Sequence, residues 1–309
     1  MYNLFNGDCL NVMKNIPDSS VDCILCDLPY GSLASVVSDG WKNKDVDVSW
    51  DNLIDIDKLF YQYARVLRHN GALILFHKEP LTSELRIHRH KDIQLAHTYV
   101  WNKGTFSNPY VCHSAPLSVC ENIDVYYKKY QSNVETEYDL YRNYILSSIA
   151  DSKKVIIEKC GQGVDHFFRK RTKQFISEES YQKLIDVYSI DRLDKFLIWD
   201  ELKRIILKCS RTFNIPDGEK YVLDLLSYPK DTNCIHPTQK PLNLLRYLIK
   251  IYSNENDTVL DNCIGSGSTG IASLIERRNF IGIELDKTYY SLAKNWIEKE
   301  SRDIESRLF

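Results

Sequence analysis

Two short runs in this chain carry residue types that could do chemistry. The first, Asp27-Leu28-Pro29-Tyr30-Gly31, directly follows the apolar run Val21 to Cys26. Asp27 and the backbone carbonyl of Leu28 can accept both hydrogens of an amino group, turning its lone pair toward an electrophile. Pro29 stiffens the turn, and Tyr30 offers a ring on which a base that has left its helix can stack. The second run, Asp261-Asn262-Cys263-Ile264-Gly265-Ser266-Gly267-Ser268-Thr269-Gly270, follows one apolar run and precedes another. Its glycines let the backbone turn tightly and approach a ligand. Glu284 ends the next apolar run, where a carboxylate can accept both hydroxyl hydrogens of a ribose. Such a site suits a nucleoside cofactor.

Gly265, Gly267 and Gly270 also satisfy the dinucleotide fingerprint, so a nicotinamide or flavin oxidoreductase is a rival reading. A glycine turn that only packs a helix on a strand is the plainer one. Against the oxidoreductase, the motif lies near the carboxyl end and leaves little chain for a second mononucleotide half. Asp261 also suits a cationic ligand better than a pyrophosphate, and the sulfonium and amino group of S-adenosylmethionine are cationic.

The elements that must position these runs read as an α/β fold. Val21–Asp27 and Gly71–Phe76 are short, branched, turn-bounded runs, as expected of buried parallel strands. Between them Ile54–Arg68 has helical spacing, with Leu59, Phe60, Tyr63 and Leu67 on one side. His97–Asn102 and Asn122–Tyr127 are further strand candidates, so the first half supplies about four strands by this pattern. From about Gln131 to Tyr228 the alternation stops. Ser177 can cap one helix there, and Asp191 another running through Phe196, Ile198 and Leu202 to Leu207. Alternation then resumes with a helix Pro241–Tyr252, a strand Thr258–Cys263, a helix Thr269–Arg278, a strand Phe280–Leu285 and a helix Lys287–Lys299. The expected fold is a doubly wound, mostly parallel sheet with an inserted, mainly helical region. Residues 1–130 and 233–309 form its two halves, and 131–232 the insertion.

Composition bounds what this fold can do. With 43% hydrophobic and 27% charged residues the 309-residue chain can build a core and is not globally disordered. No apolar run approaches the ~18 residues of a membrane span, and the first fifteen residues lack the pattern of a secretory signal. The expected location is therefore cytoplasmic. A net charge of -2 leaves nucleic-acid attraction to a local patch. Asp151–Phe175 supplies one, with seven basic residues (Lys153, Lys154, Lys159, Arg169, Lys170, Arg171, Lys173) against three acidic ones. A solvated charge run is the alternative. The nine cysteines are scattered and read as reduced, buried thiols. Cys23 and Cys26 fall on opposite faces of one strand, and His88 and His90 read as surface residues, so no metal is expected.

The two runs, in this order, resemble the DNA amino-methyltransferases, specifically the adenine N6-methyltransferases of the beta order, where the catalytic tetrapeptide comes first, the target-recognition region lies in the middle and the cofactor loop comes last. Gly7-Asp8-Cys9-Leu10, Trp101-Asn102-Lys103-Gly104, Pro116-Leu117 with Glu121 to Tyr127, and His236-Pro237-Thr238-Gln239-Lys240-Pro241 are further markers. The resemblance covers both ends and leaves roughly 131–230 unmatched. It implies a Rossmann-like methyltransferase fold, S-adenosyl-L-methionine as cofactor, and methyl transfer to the N6 amino group of a flipped adenine in double-stranded DNA without a covalent intermediate. Asp27, Leu28, Pro29 and Tyr30 are the expected catalytic residues. The expected cofactor-binding residues are Asp8, Cys9, Lys240, Asp261, Gly265, Ser266, Gly267, Thr269 and Glu284, with Asp8 near the cofactor adenine and Lys240 near its carboxylate. Asp8 as a plain turn residue, and Lys240 as an exposed lysine, are the alternatives. Lys153, Lys154, Arg169 and Arg171 are the expected DNA contacts. A homodimer and a cognate restriction endonuclease belong to the same expectation, with association to the nucleoid through DNA. Leu28 replaces the usual second proline and Cys263 an aromatic residue, and neither change removes a reacting group. An N4-cytosine methyltransferase would share this architecture; Asp27, in place of the serine common there, leans toward adenine. An inactive DNA-binding subunit would be expected to lose Asp27 or Tyr30, and both are present.

Overall fold

The structure, a computed structural model, describes residues 1–30, 53–107, 112–113, 116–129, 135–168, 175–232 and 239–308. Gly31, Arg169, Lys170, Arg171, Lys173 and His236 to Thr238 lie outside the described residues. Two compact units emerge, one formed by Met1–Lys129 with Thr212–Phe309, the other by Tyr130–Arg211.

In the larger unit the chain runs β1 (Tyr2–Asn6), α1 (Cys9–Met13), β2 (Val21–Asp27), α2 (Ile56–Val66), β3 (Leu67–His77), α3 (Leu81–Ile87), β4 (Ile93–Ser107) and β5 (Ser118–Lys128). The second unit contributes α4 (Glu137–Ser147), α5 (Lys153–Cys160), α6 (Asp165–Phe168), α7 (Glu178–Tyr188) and α8 (Trp199–Cys209). The larger unit is then completed by β6 (Leu225–Ser227), α9 (Leu242–Tyr252), β7 (Thr258–Asp261), α10 (Ser268–Ile275), β8 (Asn279–Glu284) and α11 (Lys287–Leu308).

The eight strands form one sheet in the order β1-β8-β7-β2-β3-β5-β4-β6. The pairings from β1 through β3 are parallel, and β5 is antiparallel to both β3 and β4. Parallel pairing of β2 with β7, with Cys23 opposite Val259 and Ile24 opposite Leu260, carries both strands toward the same edge, where Asp27 and Asp261 end them. Each face of the sheet is buried. Cys23, Leu25, Ile74 and Trp101 pack with α9, α10 and α11 through Leu248, Ile271 and Ile297. On the other face Ile24, Cys26 and Leu73 pack with Met13, Leu59, Phe60 and Tyr63. Cys23 and Cys26 thus belong to opposite layers, as the odd spacing on a strand requires.

Several boundaries differ from the sequence reading. β3 begins at Leu67 instead of Gly71, because its first residues bulge: Leu67 pairs with Val21 but Ala72 with Cys23. Asn70, at φ 62°, turns the bulge back. β1 and β6 were not anticipated; β6 is only three residues long. Asp191 lies inside a short 3-10 turn and caps no α-helix; α8 starts at Trp199, where Glu201 accepts the Ile198 N–H at 3.1 Å. Ser177 does cap α7, its hydroxyl accepting the Ser180 N–H at 3.3 Å. His88 and His90 are half-buried, with the His88 ring 4.5 Å from that of Phe60. Residues 212–232 belong to the sheet unit, so the helical unit stops at Arg211.

The helical unit has its own core of Tyr138, Tyr141, Ile145, Ile156, Phe167, Tyr181, Leu184 and Leu202. Thr136 opens α4 with a reciprocal cap, accepting the Asp139 N–H while the Asp139 carboxylate accepts that of Thr136. Among the described residues no helix is long and apolar enough to cross a membrane.

Candidate active site

One cavity opens at the edge of the sheet where β2, β7 and β8 end. Asp8, Cys9, Asp27, Leu28, Pro29, Tyr30, Lys240, Asp261, Gly265, Ser266, Thr269 and Glu284 all line it. Of the catalytic and cofactor residues expected from sequence only Gly267 stands back from it, and its role is visible in packing. Gly267, at φ 87°, opens α10, and a Cβ there would lie 3.1 Å from both Ala293 Cβ and Ile297 Cδ1. Gly270 is tighter still, its Cβ falling 2.7 Å from Ile297 and Phe280. These two glycines therefore let α10 settle against β8 and α11.

At the β7–β8 side the site is built from buried carboxylates and backbone amides. Glu284 Oε2 accepts the Gly265 N–H and Oε1 the Asp286 N–H, both at 2.9 Å. A carboxylate has about four lone-pair positions, so roughly two remain for a ligand. Burial pushes the Glu284 carboxyl up, opposed by those N–H donors. Burial likewise pushes Asp261 up to about 7, although its Oδ1 accepts the Cys263 N–H at 3.0 Å. Tyr63 braces the loop from α2 by donating to Asn262 Oδ1 at 2.6 Å. Asp8 caps α1, its Oδ1 accepting the Asn11 N–H at 2.9 Å while the residue still lines the cavity.

At the β2 side the polar groups come with their own cation. The Tyr30 hydroxyl donates to Asp27 Oδ1 at 2.6 Å, and Lys240 Nζ donates to Asp27 Oδ2. Lys240 is 6% exposed, which excludes a solvated lysine, and its neighbours are Asp27 and the rings of Tyr30, Phe76 and Trp101. Glu121 Oε2 stands 3.5 Å from the same ammonium, and Lys103, itself buried, donates to Glu121 Oε1 at 3.2 Å. Burial raises the Asp27 carboxyl, with the Glu121 charge adding to it and Lys240 opposing. Glu121 goes the other way: burial would raise it, but Lys240 and Lys103 together hold it below the usual carboxylate range. Burial also raises the Tyr30 phenol well above its ordinary value, so it stays a donor.

Glu121 and Lys103 belong to runs that resemble family markers, but the sequence assigns them no role in the site. The available signal was strand alternation: Glu121 is in phase with inward Ile123 and Val125, and Lys103 with Trp101 and Tyr99. Of the expected DNA contacts, Lys153 and Lys154 sit exposed on α5, where Lys153 pairs with Asp165 at 2.7 Å; Arg169 and Arg171 lie outside the described residues.

The DNA methylase family model, that of N6/N4 methyltransferases, matches residues 21–295. The type II methyltransferase M2.MboI of Moraxella bovis is 24% identical over 306 residues, covering 95% of this chain and 86% of its own. The DNA adenine methyltransferase YhdJ of Escherichia coli is 25% identical over 291 residues, covering 94% of this chain and 80% of its own. Among solved structures, the M1.HpyAVI–SAM complex superposes with a TM-score of 0.53 at 22% identity, covering 96% of this chain and all of the other.

Proposed function

The chain belongs to the N6/N4 DNA methylase family, and on that premise we propose that it transfers a methyl group from S-adenosylmethionine to the N6 amino group of adenine in double-stranded DNA. The observation that carries this reading is the single cavity lined both by Asp27-Leu28-Pro29-Tyr30 and by the glycine loop with Glu284. A base and a nucleoside cofactor can meet there. The name of YhdJ, and Asp27 in place of serine, favour adenine over cytosine.

The cofactor fits the groups present. Glu284 has lone pairs left for two ribose hydroxyls, and buried Asp261, raised to about 7, is suited to a cationic ligand. When bound, the cofactor supplies an electrophilic methyl group on a sulfonium. The chain's own residues supply position and electrostatics. Asp27 and the Leu28 carbonyl accept the amino hydrogens and stabilise the positive charge that grows on nitrogen as it attacks. Tyr30 stacks on the extruded base, offsetting an unstacking cost of a few kcal/mol. The helical unit, with Lys153, Lys154, Arg169 and Arg171, contacts the DNA and reads its sequence, and partnership with a restriction endonuclease or a second copy of the chain fits the same reading. Sequencing methylated DNA from cells expressing the protein tests it. N6-methyladenine at a defined sequence is expected, whereas N4-methylcytosine would replace the base assignment and unmodified DNA would refute the reading.

A further inference from the structure

Lys240 stands where a substrate amino group would be received. Its ammonium donates to Asp27 Oδ2, lies 3.4 Å from the Tyr30 hydroxyl and sits over the Tyr30, Phe76 and Trp101 rings at 5.7, 5.3 and 6.0 Å. The base's amino group would seek the same carboxylate and the same ring. An alternative seat for the ammonium is already built. Glu121 Oε2 is buried and already ion-paired with Lys240 Nζ at 3.5 Å, but the contact lacks the geometry of a full hydrogen bond, so the oxygen keeps room for a closer one. The other oxygen of Glu121 is held by Lys103.

We propose that Glu121 is a positioning residue that draws Lys240 off Asp27 when the target base arrives, leaving the Asp27 carboxylate to the substrate amino group; this rests on the methyl transfer proposed above. No bond is made or broken in the exchange. The ammonium, paired with both carboxylates at rest, moves its closest contact from Asp27 to Glu121 as the amino group takes the acceptor freed on Asp27. Lys103, and more distantly Lys230, keep Glu121 ionised in both arrangements. Without the Glu121 charge, Lys240 would have Asp27 as its sole anion and would compete with the base for it.

Glu121→Gln tests this, since it keeps the shape and an acceptor for Lys103 while removing the charge. Near neutral pH the variant should bind S-adenosylmethionine as wild type does but turn over about tenfold more slowly, a barrier increase of about 1.4 kcal/mol. The deficit should depend on the Lys240 ammonium: in a Lys240→Met background, where no charge has to be drawn off Asp27, Glu121→Gln should change turnover by less than about twofold. Should the variant fail to fold, Glu121→Asp retracts the carboxylate by one methylene and should move turnover in the same direction. Wild-type turnover in the folded variant, or an undiminished tenfold deficit in the Lys240→Met background, would overturn the inference while leaving methyl transfer intact. A wild-type protein that methylates no DNA would overturn both.

Discussion

The two sides of the cavity each bury a pair of carboxylates, and they treat them differently. Asp27 and Glu121 face the ammonium groups of Lys240 and Lys103. Asp261 and Glu284 receive backbone N–H groups from Cys263, Gly265 and Asp286, and pair with no lysine or arginine among the described residues. Burying a carboxylate without a cation is expensive. Asp261 and Glu284 are both pushed up with only neutral donors against it, whereas on the other side Lys240 opposes the rise of Asp27 and, with Lys103, holds Glu121 low. In the function proposed above, the difference assigns the sides. A half that carries its own cations is set for a neutral partner such as a base, and a half that lacks them is completed by a cationic, hydroxyl-bearing ligand.

Breaking the base side should have the largest effect. Asp27→Ala should lower methyl transfer by about 10²–10³-fold or more, the scale seen when a donor or acceptor aimed at transition-state charge is removed. A tritiated-methyl assay reads this, and near-wild-type turnover would remove Asp27 from the chemistry. Lys240 keeps Glu121 as a partner, so the fold should survive.

On the cofactor side the sharper probe is pH. Asp261, raised to about 7, is protonated in the free protein below that pH, whereas an unfolded chain ionises it near 3.9. Between about 4 and about 7 the folded form therefore binds the extra proton, and this group's contribution to stability falls as pH rises through that window. Affinity for a cationic cofactor should do the opposite, rising several-fold from about pH 6 to about pH 8 with release of a proton. Calorimetry in buffers of different ionisation heat measures both. A flat affinity and no proton release would mean that Asp261 does not meet the cofactor's charge.

The helical unit should give the smallest change. Lys153 is half-engaged in an exposed pair with Asp165, and Lys154 is exposed. A Lys153→Ala/Lys154→Ala double variant should leave stability within about 0.5 kcal/mol and flatten the salt dependence of DNA binding by about one to two in log–log slope. An unchanged slope would make this face of α5 solvated surface.

The legible parts of the site were those local in sequence. Asp27 to Tyr30 and Asp261 to Thr269 each sit within a few residues at a strand end, so strand-then-turn patterning located them without knowledge of the sheet. Lys240 is expected, from its neighbours, near the cofactor carboxylate, whereas the structure sets its ammonium on Asp27; that partner lies over two hundred residues away, and only the pairing of β2 with β7 brings the two ends of the chain together. Glu121 and Lys103 stand inside runs that resemble family markers, but their role was out of reach for the same reason, since it appears only once β4 and β5 pair antiparallel with Trp101 opposite Glu121. In the fold, short apolar runs bounded by turn residues mark β2, β7 and β8. The bulged start of β3 and the three-residue β6 carry no periodic signal, and Asp191 is a good cap residue that tertiary packing places in a 3-10 turn instead.

Calorimetric titration of S-adenosylmethionine into wild type, Glu284→Ala and Asp27→Ala compares the two sides of the cavity directly. Glu284→Ala removes charge-assisted hydrogen bonds to ribose worth about 1.5–3 kcal/mol each and should weaken binding at least about tenfold. Asp27→Ala should bind within about twofold of wild type, a difference under about 0.5 kcal/mol. Unchanged affinity in Glu284→Ala, or an equal loss in both variants, would contradict the division of the cavity into a cofactor side and a base side.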